Sequence, residues 1–468
     1  MKQALKENKK QCRAPLGACL FSLIICAATI LHSQVVLDRN HLKAIYFQPS
    51  YPSASGLGSG AAFIATAEGG EAAEVNPAGL YRLAVRELNV QLRNSIYINH
   101  EISPNPTNPS QWSAHRNQVT NLANISFSIP PIKLPFLPFN TAGSIYKYEA
   151  INFKNAFFFE QYKPDPLNQR PGGGLNGLIT DYRVFLDTWG LSFATRIFGS
   201  EDSPNLDAGI SFKLLTLAHN LEQEIFDGAG NFGNVPKDLS FITVANSSET
   251  KLTAQLGIIY RWKKYRFGVT GNLGRTFTVN THVFTPARTG SEGETAGAFT
   301  FPKLLKIWHP SWLGFGLAAN VRQSWQIEGD LVYTWYSNQL DILKPAVKDT
   351  NSLIMDNSWR PHVGLTKTFR DREKKEKLKL RLGYYYFSNH RFRTSSSEPA
   401  VQLFFAQSED VHHVTGGIEF GLVTMPSYRL GLAIAGDYSP KFSRKGAIVT
   451  AEGANSFDLL ISLRLKFL

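Results

Sequence analysis

The sequence predicts an all-β protein: a transmembrane antiparallel β-barrel of about fourteen strands, with an N-terminal hatch plugging its lumen. Three observations predict this. Segments with a two-residue apolar period recur along the chain at the length a tilted strand needs to cross a bilayer, about 9–11 residues. Their connections alternate between long and short. The chain also opens with an export signal, after which no apolar run reaches the roughly 18 residues of a membrane helix.

The export signal comes first in the chain. Lys2, Lys6, Lys9, Lys10 and Arg13 form a basic head, an apolar run follows from Leu16 to Leu31, and His32, Ser33 and Gln34 close it. This is the pattern of a secretory signal peptide, residues 1–33, cleaved after Ser33. A retained anchor and a lipoprotein signal ending at Cys19 are the competing readings. The short apolar core argues against the first, and the little apolar sequence before Cys19 against the second. Cys12, Cys19 and Cys26 all fall in this segment, so the mature chain has no thiol for a disulfide or a thiolate metal site. That suits a Gram-negative envelope protein better than a eukaryotic extracellular domain. Without the signal the net charge falls from +12 to +8. This modest excess, part of it in the run Arg370–Lys379, is no nucleic-acid footprint.

The strands follow. SFDLLISLRLKFL places Phe457, Leu459, Ile461, Leu463, Leu465 and Phe467 on one face and Asp458, Ser462, Arg464 and Lys466 on the other. A lipid-facing row set against a luminal row explains it, although a half-buried strand of a soluble sandwich shares the pattern. Similar segments predict strands near 87–99, 119–129, 141–159, 181–198, 206–219, 250–262 and 265–280. Seven more fall near 311–322, 325–335, 359–370, 377–387, 411–422, 428–438 and 456–468. Lys263-Lys264, Gln323-Ser324 and Thr424–Ser427 are short connections, with long Gly/Pro/Ser/Asn-rich loops between. Outer-membrane barrels have short periplasmic turns and long external loops, whereas a sandwich has no reason to gather its long loops at one end. Trp262, Trp312, Trp325, Trp335 and Trp359 fall at strand ends, where an interfacial belt would lie. The barrel therefore spans 87–468.

Residues 34–86 precede the first strand and show little alternation. Their Ala, Leu and Phe content suits a plug folded into the lumen. Several strands are apolar on both faces, among them Asn155–Glu160, Trp189–Phe198 and Gly209–His219. This fits a lumen for hydrophobic solutes, or a wall packed against the hatch.

The stretch GSGAAFIATAEGGEAAEVNPAGLYRL, with Asn76, Pro77 and Ala78, resembles the hatch of the long-chain fatty-acid transporter (FadL/TodX) family, which carries an Asn-Pro-Ala motif. His309–Asn338 resembles that family's paired strands, each opened by a Trp. WRPHVGLTKTF, LKLRLGYYYFSN and EDVHHVTGGIEFGL resemble its late strands. The resemblance implies an outer-membrane channel for passive uptake of long-chain fatty acids or other hydrophobic compounds. Its partners would be those small molecules, the bilayer and lipopolysaccharide; no enzyme activity and no cofactor is implied.

In that family the ligand is captured between external loops and leaves sideways at a kink in the third strand. Here the third strand's alternation stumbles at Glu149, Ala150, Ile151 and Asn152, the candidate kink; an unbroken strand with an inward Glu is the alternative. Loops 220–249 and 281–310 carry Phe226, Phe232, Phe284, Phe301, Leu304, Leu305 and Trp308, the candidate capture residues. A ligand carboxylate would need a cation, and Arg183, Lys154 and Lys213 are the candidates by position. His412-His413 would point to opposite faces of a strand and so could not easily share a metal ion. No catalytic constellation stands out. A competing function on the same fold is a component of a type IX secretion machine, whose loops would bind a secreted protein.

Overall fold

The computed structural model describes residues 53–467, except 103–111, 134, 136–137, 163–174, 201–202, 229–238, 286–298, 323, 339–352, 356, 373–375, 388–391, 395–410, 426, 440–442, 446–449 and 453–454. The expected signal peptide lies outside the described residues, as does the start of the hatch. Described strands are β1 (Arg86–Ile102), β2 (Trp112–Lys133), β3 (Asn140–Tyr162), β4 (Leu175–Phe198), β5 (Asn205–Gly228), β6 (Leu239–Trp262) and β7 (Tyr265–Asn272). They continue as β8 (Arg275–Thr285), β9 (Phe299–His309), β10 (Ser311–Arg322), β11 (Trp325–Trp335), β12 (Leu353–Met355), β13 (Ser358–Arg370) and β14 (Glu376–Phe387). The remainder are β15 (Phe392–Thr394), β16 (Val411–Met425), β17 (Tyr428–Ser439), β18 (Ser443–Lys445), β19 (Thr450–Glu452) and β20 (Asn455–Phe467).

Every neighbour in the main sheet is antiparallel, and β1 pairs with β2 on one side and β20 on the other, which closes a fourteen-stranded barrel. Two of its strands are each built from two pieces. β7 and β8 form one, broken at Leu273-Gly274; β9 and β10 form the other, broken at Pro310. β12–β15 and β18–β19 are small separate ribbons.

The period-two pattern decides which face meets lipid. On β20, Phe457, Ile461, Leu463 and Phe467 are exposed on the outer surface, while Leu460 and Ser462 are buried inside. Around the barrel the same outward row continues through Leu191, Phe212, Leu256, Phe267, Leu317, Val363 and Leu382. The strands reach beyond the expected bounds mainly at their long-loop ends. The loop expected over 281–310 is the main correction. Its ends are strand, because Thr281–Thr285 and Phe299–Lys303 pair residue by residue in the β8–β9 hairpin. Lys303–Trp308 is likewise strand, paired without interruption to Thr276–Thr281.

Residues 53–85 fill the lumen as two short helices (Ala54–Gly58, Ala72–Val75) and two 3-10 turns (Gly69–Glu71, Pro77–Arg82). Ala54 and Leu57 pack on Ala433, Ala435 and Leu460 of the wall. Phe63, Ala67, Ala72, Ala73 and Leu80 pack on Ala142, Tyr146, Tyr148 and Ala194. The Gly/Ala-rich composition has its reason here: hatch backbone lies directly on wall backbone. Gly60 has φ +68, and a Cβ on it would sit 2.4 Å from the Val363 carbonyl oxygen. Instead its N–H donates to Thr415 Oγ1 at 2.9 Å and its carbonyl accepts from His362 Nδ1 at 3.0 Å.

Candidate functional site: a cavity above the hatch

Asn76 organises the turn that Pro77 and Ala78 continue. It caps the Pro77–Arg82 turn by accepting from the Ala78 N–H at 3.3 Å, and its Nδ2 donates to the Ile64 carbonyl at 2.9 Å. Nδ2 also reaches the wall carbonyls of Ile258 and Val269 at 3.3 and 3.5 Å. Acidic residues of the wall hold the rest. Asp330 Oδ2 accepts from the Phe63 and Ile64 N–H groups at 2.6 and 2.8 Å. Glu328 accepts from the hydroxyls of Thr66 and Thr366 at 2.6 and 3.1 Å. On the opposite side Arg464 donates to Glu71 at 2.5 Å and also faces Glu87 and Glu419. Burial pushes the Glu71 carboxyl above its usual range, and the Arg464 guanidinium pulls it back. Sequence reasoning missed Asp330, Glu328 and Arg464 as hatch contacts, because their partners are backbone groups and side chains far away in sequence.

Above the hatch lies a cavity of ≈ 160 Å³. Phe63, Ile64 and Val75 of the hatch form its floor, and Leu186, Leu215 and Val332 are apolar residues of its wall. Of the stretches expected to be apolar on both faces, those on β4 and β5 resolve into two levels here; the side chains of Asn155–Glu160 are outside the described part. On β4, Val184 and Leu186 face inward high in the barrel and Ser192 lower down; on β5, Leu215 and Leu217 lie above Ser211. The lumen is therefore apolar above the hatch and small or polar where the hatch packs. Trp312, expected in an interfacial belt, instead lines this cavity, while Trp262 and Trp359 are exposed on the outer surface.

The candidate kink borders the same space. Tyr148, Ala150 and Ile151 line the cavity. The β3–β4 register shifts between Glu149 and Ile151, a bulge at Ala150. Before it Tyr146 and Tyr148 face inward; after it the inward residue is Ile151, so the bulge reverses the strand's faces. Among the described residues the β2–β3 ladder ends nearby, at Asn124↔Tyr148, while β2 continues along β1 and β3 along β4. The bulge lies about ten residues above the start of β3, roughly 25 Å along the axis of a tilted strand. That is about the height of the apolar band of an outer-membrane barrel. Asn152 continues β3; its side chain is outside the described part.

A second irregularity faces it. Asn272, His309 and Pro310, at the breaks in the two-piece strands, also line the cavity. The ladder to β6 lapses between Gln255↔Asn272 and Ala245↔Thr281. Side chains bridge the interval: Glu249 accepts from the Thr278 N–H, and Arg275 Nε donates to the Leu252 carbonyl at 2.5 Å.

Of the three cations expected to meet a carboxylate, Lys213 lines the cavity but is paired with Glu74 of the hatch at 2.8 Å. Arg183 does not line it, and the side chain of Lys154 is outside the described part. Arg360 lines it too, donating to Thr334 at 2.9 Å; β13 alternates regularly, but alternation does not give the depth at which an inward residue meets the cavity. Of the capture residues, Phe226 lies in β5, Phe284 in β8, and Phe301, Leu304, Leu305 and Trp308 in β9, so they belong to strands and not loops. The Trp308 indole donates to the Trp335 carbonyl at 3.2 Å. Phe232 is outside the described residues. His412 and His413 take opposite faces: His413 is buried against Asp437 (3.0 Å) and stacks on Tyr385, while His412 meets Tyr384.

No protein-family model and no curated protein sequence matches the chain. Solved structures do. A FadL homologue of Pseudomonas aeruginosa superposes with a TM-score of 0.54 at 12% identity, covering 89% of this chain and 98% of that one. The fold is that of the FadL-type barrels. The toluene transporter TodX of Pseudomonas putida gives 0.53 at 12% identity, over 90% and 98% of the two chains. The toluene transporter TbuX of Ralstonia pickettii gives 0.54 at 12%, over 90% and 100%. The FadL-type fold, a closed barrel with an apolar outer band, places the protein in the bacterial outer membrane.

Proposed function

We propose that the protein is a passive outer-membrane channel for small hydrophobic compounds, which rest in the cavity above the hatch and leave sideways between β2 and β3. The observation that carries this reading is the meeting of three features at one place: the apolar cavity, the Ala150 bulge and the end of the β2–β3 ladder. The space directly below the hatch supports a lateral route, because it is lined by charged residues that an apolar solute would have to desolvate. Size bears on the substrate. A dry cavity of about 150 Å³ holds a benzene ring, so ≈ 160 Å³ favours a ring-sized compound over a fully enclosed long-chain fatty acid. Capture would begin on the β8–β9 hairpin, at Phe284, Phe301, Leu304, Leu305 and Trp308.

The test is deletion of Ala150, which removes the bulge and restores a continuous alternation. Uptake of labelled toluene and of a labelled long-chain fatty acid is compared in cells carrying either form, with barrel assembly checked by heat-modifiable gel mobility. Toluene uptake should fall at least tenfold with the barrel intact. Unchanged uptake of both compounds would remove the lateral route.

A further inference from the structure

A second cavity, of ≈ 370 Å³, lies on the short-turn side of the hatch. Hatch residues including Thr66, Glu68 and Arg82 form one side, and the lower ends of β7, β10, β11, β13 and β14 the other. Six cations line it: Arg82, Arg266, Arg322, Arg370, Lys379 and Arg381. Three carboxylates, Glu68, Glu328 and Glu376, face them, which leaves an excess of three positive charges.

Those carboxylates are largely committed. Glu376 holds Lys379 at 2.9 Å with Arg370 at 3.9 Å, and Glu328 is held by the two threonine hydroxyls. Glu68 stands 3.8 Å from Arg82, too far for a hydrogen bond, and the buried Nη1 of Arg82 has no hydrogen-bond partner. Arg381 is paired with Glu419. Among the described residues, Arg266 and Arg322 close neither an ion pair nor a side-chain hydrogen bond. Arg266 faces the like charges of Arg82 and Arg261 as well as the carboxylates of Glu68 and Glu328. Like charges gathered in a partly enclosed space are costly without a counter-ion.

We infer that this cavity is a phosphate-binding site, with Arg82, Arg266 and Arg322 as its principal donors. Guanidinium groups present paired N–H donors that match the oxygens of a phosphate. An excess of three charges suits a multiply charged phosphate or pyrophosphate better than a single carboxylate. The group could come from free phosphate or from the phosphomonoester headgroup of a lipid such as phosphatidic acid at the inner rim of the barrel. Either would bridge hatch and wall, since Arg82 belongs to the first and Arg266 and Arg322 to the second.

The test uses the purified mature protein in non-ionic detergent. Calorimetric titration with inorganic phosphate, pyrophosphate and acetate reads the free-ion arm. Thermal unfolding in nanodiscs of phosphatidylcholine, with phosphatidic acid or with phosphatidylglycerol added to the same net charge, reads the lipid arm. Pyrophosphate should bind at least tenfold more tightly than acetate, or phosphatidic acid should raise the unfolding temperature more than phosphatidylglycerol does. The double variant Arg266→Gln/Arg322→Gln should lose that response, and Lys264→Gln, on the turn outside the cavity, should keep it. If the double variant does not assemble, Arg322→Gln alone, at the exposed end of β10, should weaken the response severalfold. No response in either arm overturns the proposal, as does acetate binding equal to pyrophosphate, or a response that survives in the arginine variants.

Discussion

Asp330 on β11 holds Ile64 of the hatch by its backbone: one carboxylate oxygen accepts the Ile64 N–H at 2.8 Å and that of neighbouring Phe63 at 2.6 Å. The hatch turns there with two buried donors that its own backbone does not use, and Asp330 satisfies both. Asp330→Ala should therefore cost about 3 kcal/mol or more of hatch docking. The barrel should still assemble, but limited proteolysis should cleave within residues 60–66, and channel conductance in planar bilayers should rise.

The floor of the upper cavity is fixed by a different bond. Lys213 is 3% exposed and pairs with Glu74 across the hatch–wall boundary. Lys213→Met strands a mostly buried carboxylate, at a cost of about 3–5 kcal/mol. Adding Glu74→Gln should recover most of the loss, read as unfolding temperature in detergent. Failure of the second substitution to recover stability would show that Lys213 acts through other contacts.

Close approach of hatch and wall predicts a steric contrast between two glycines. A Cβ on Gly257 would lie 2.0 Å from Asn76 Oδ1, whereas one on Gly421 would meet nothing within 4 Å. Gly257→Val should displace the Asn76–Ala78 turn and raise conductance. Gly421→Val should leave conductance unchanged.

The interval in the β6–β8 ladder depends on side chains. Thr278 N–H donates to the Glu249 carboxylate, where a barrel strand would ordinarily offer a backbone carbonyl. Glu249→Ala should lower the hydrogen-exchange protection of the Thr278 amide at least tenfold. Amides of Ile258 and Val269, in the continuous β6–β7 ladder, should keep theirs.

Strand alternation and loop lengths together determined the fourteen-stranded barrel, and on regularly alternating strands also which residues face lipid. A two-residue period with a lipid-facing row leaves few other solutions, as β20 shows. The sequence also marked Gly56–Leu83 as something other than a strand, and placed the irregularity in β3 within Glu149–Asn152. It could not supply contacts between distant segments. That Asp330 would bind the Phe63 and Ile64 amides and that Arg360 would line the cavity depend on the depth at which the hatch packs, which alternation along β11 and β13 does not encode; that Trp312 would turn inward was hidden because β10 is apolar on both faces. The cavity belongs to that second class. Its walls are ordinary barrel residues, and only the depth at which the hatch packs, set by glycine contacts and a few buried carboxylates, leaves an apolar space above and a basic one below.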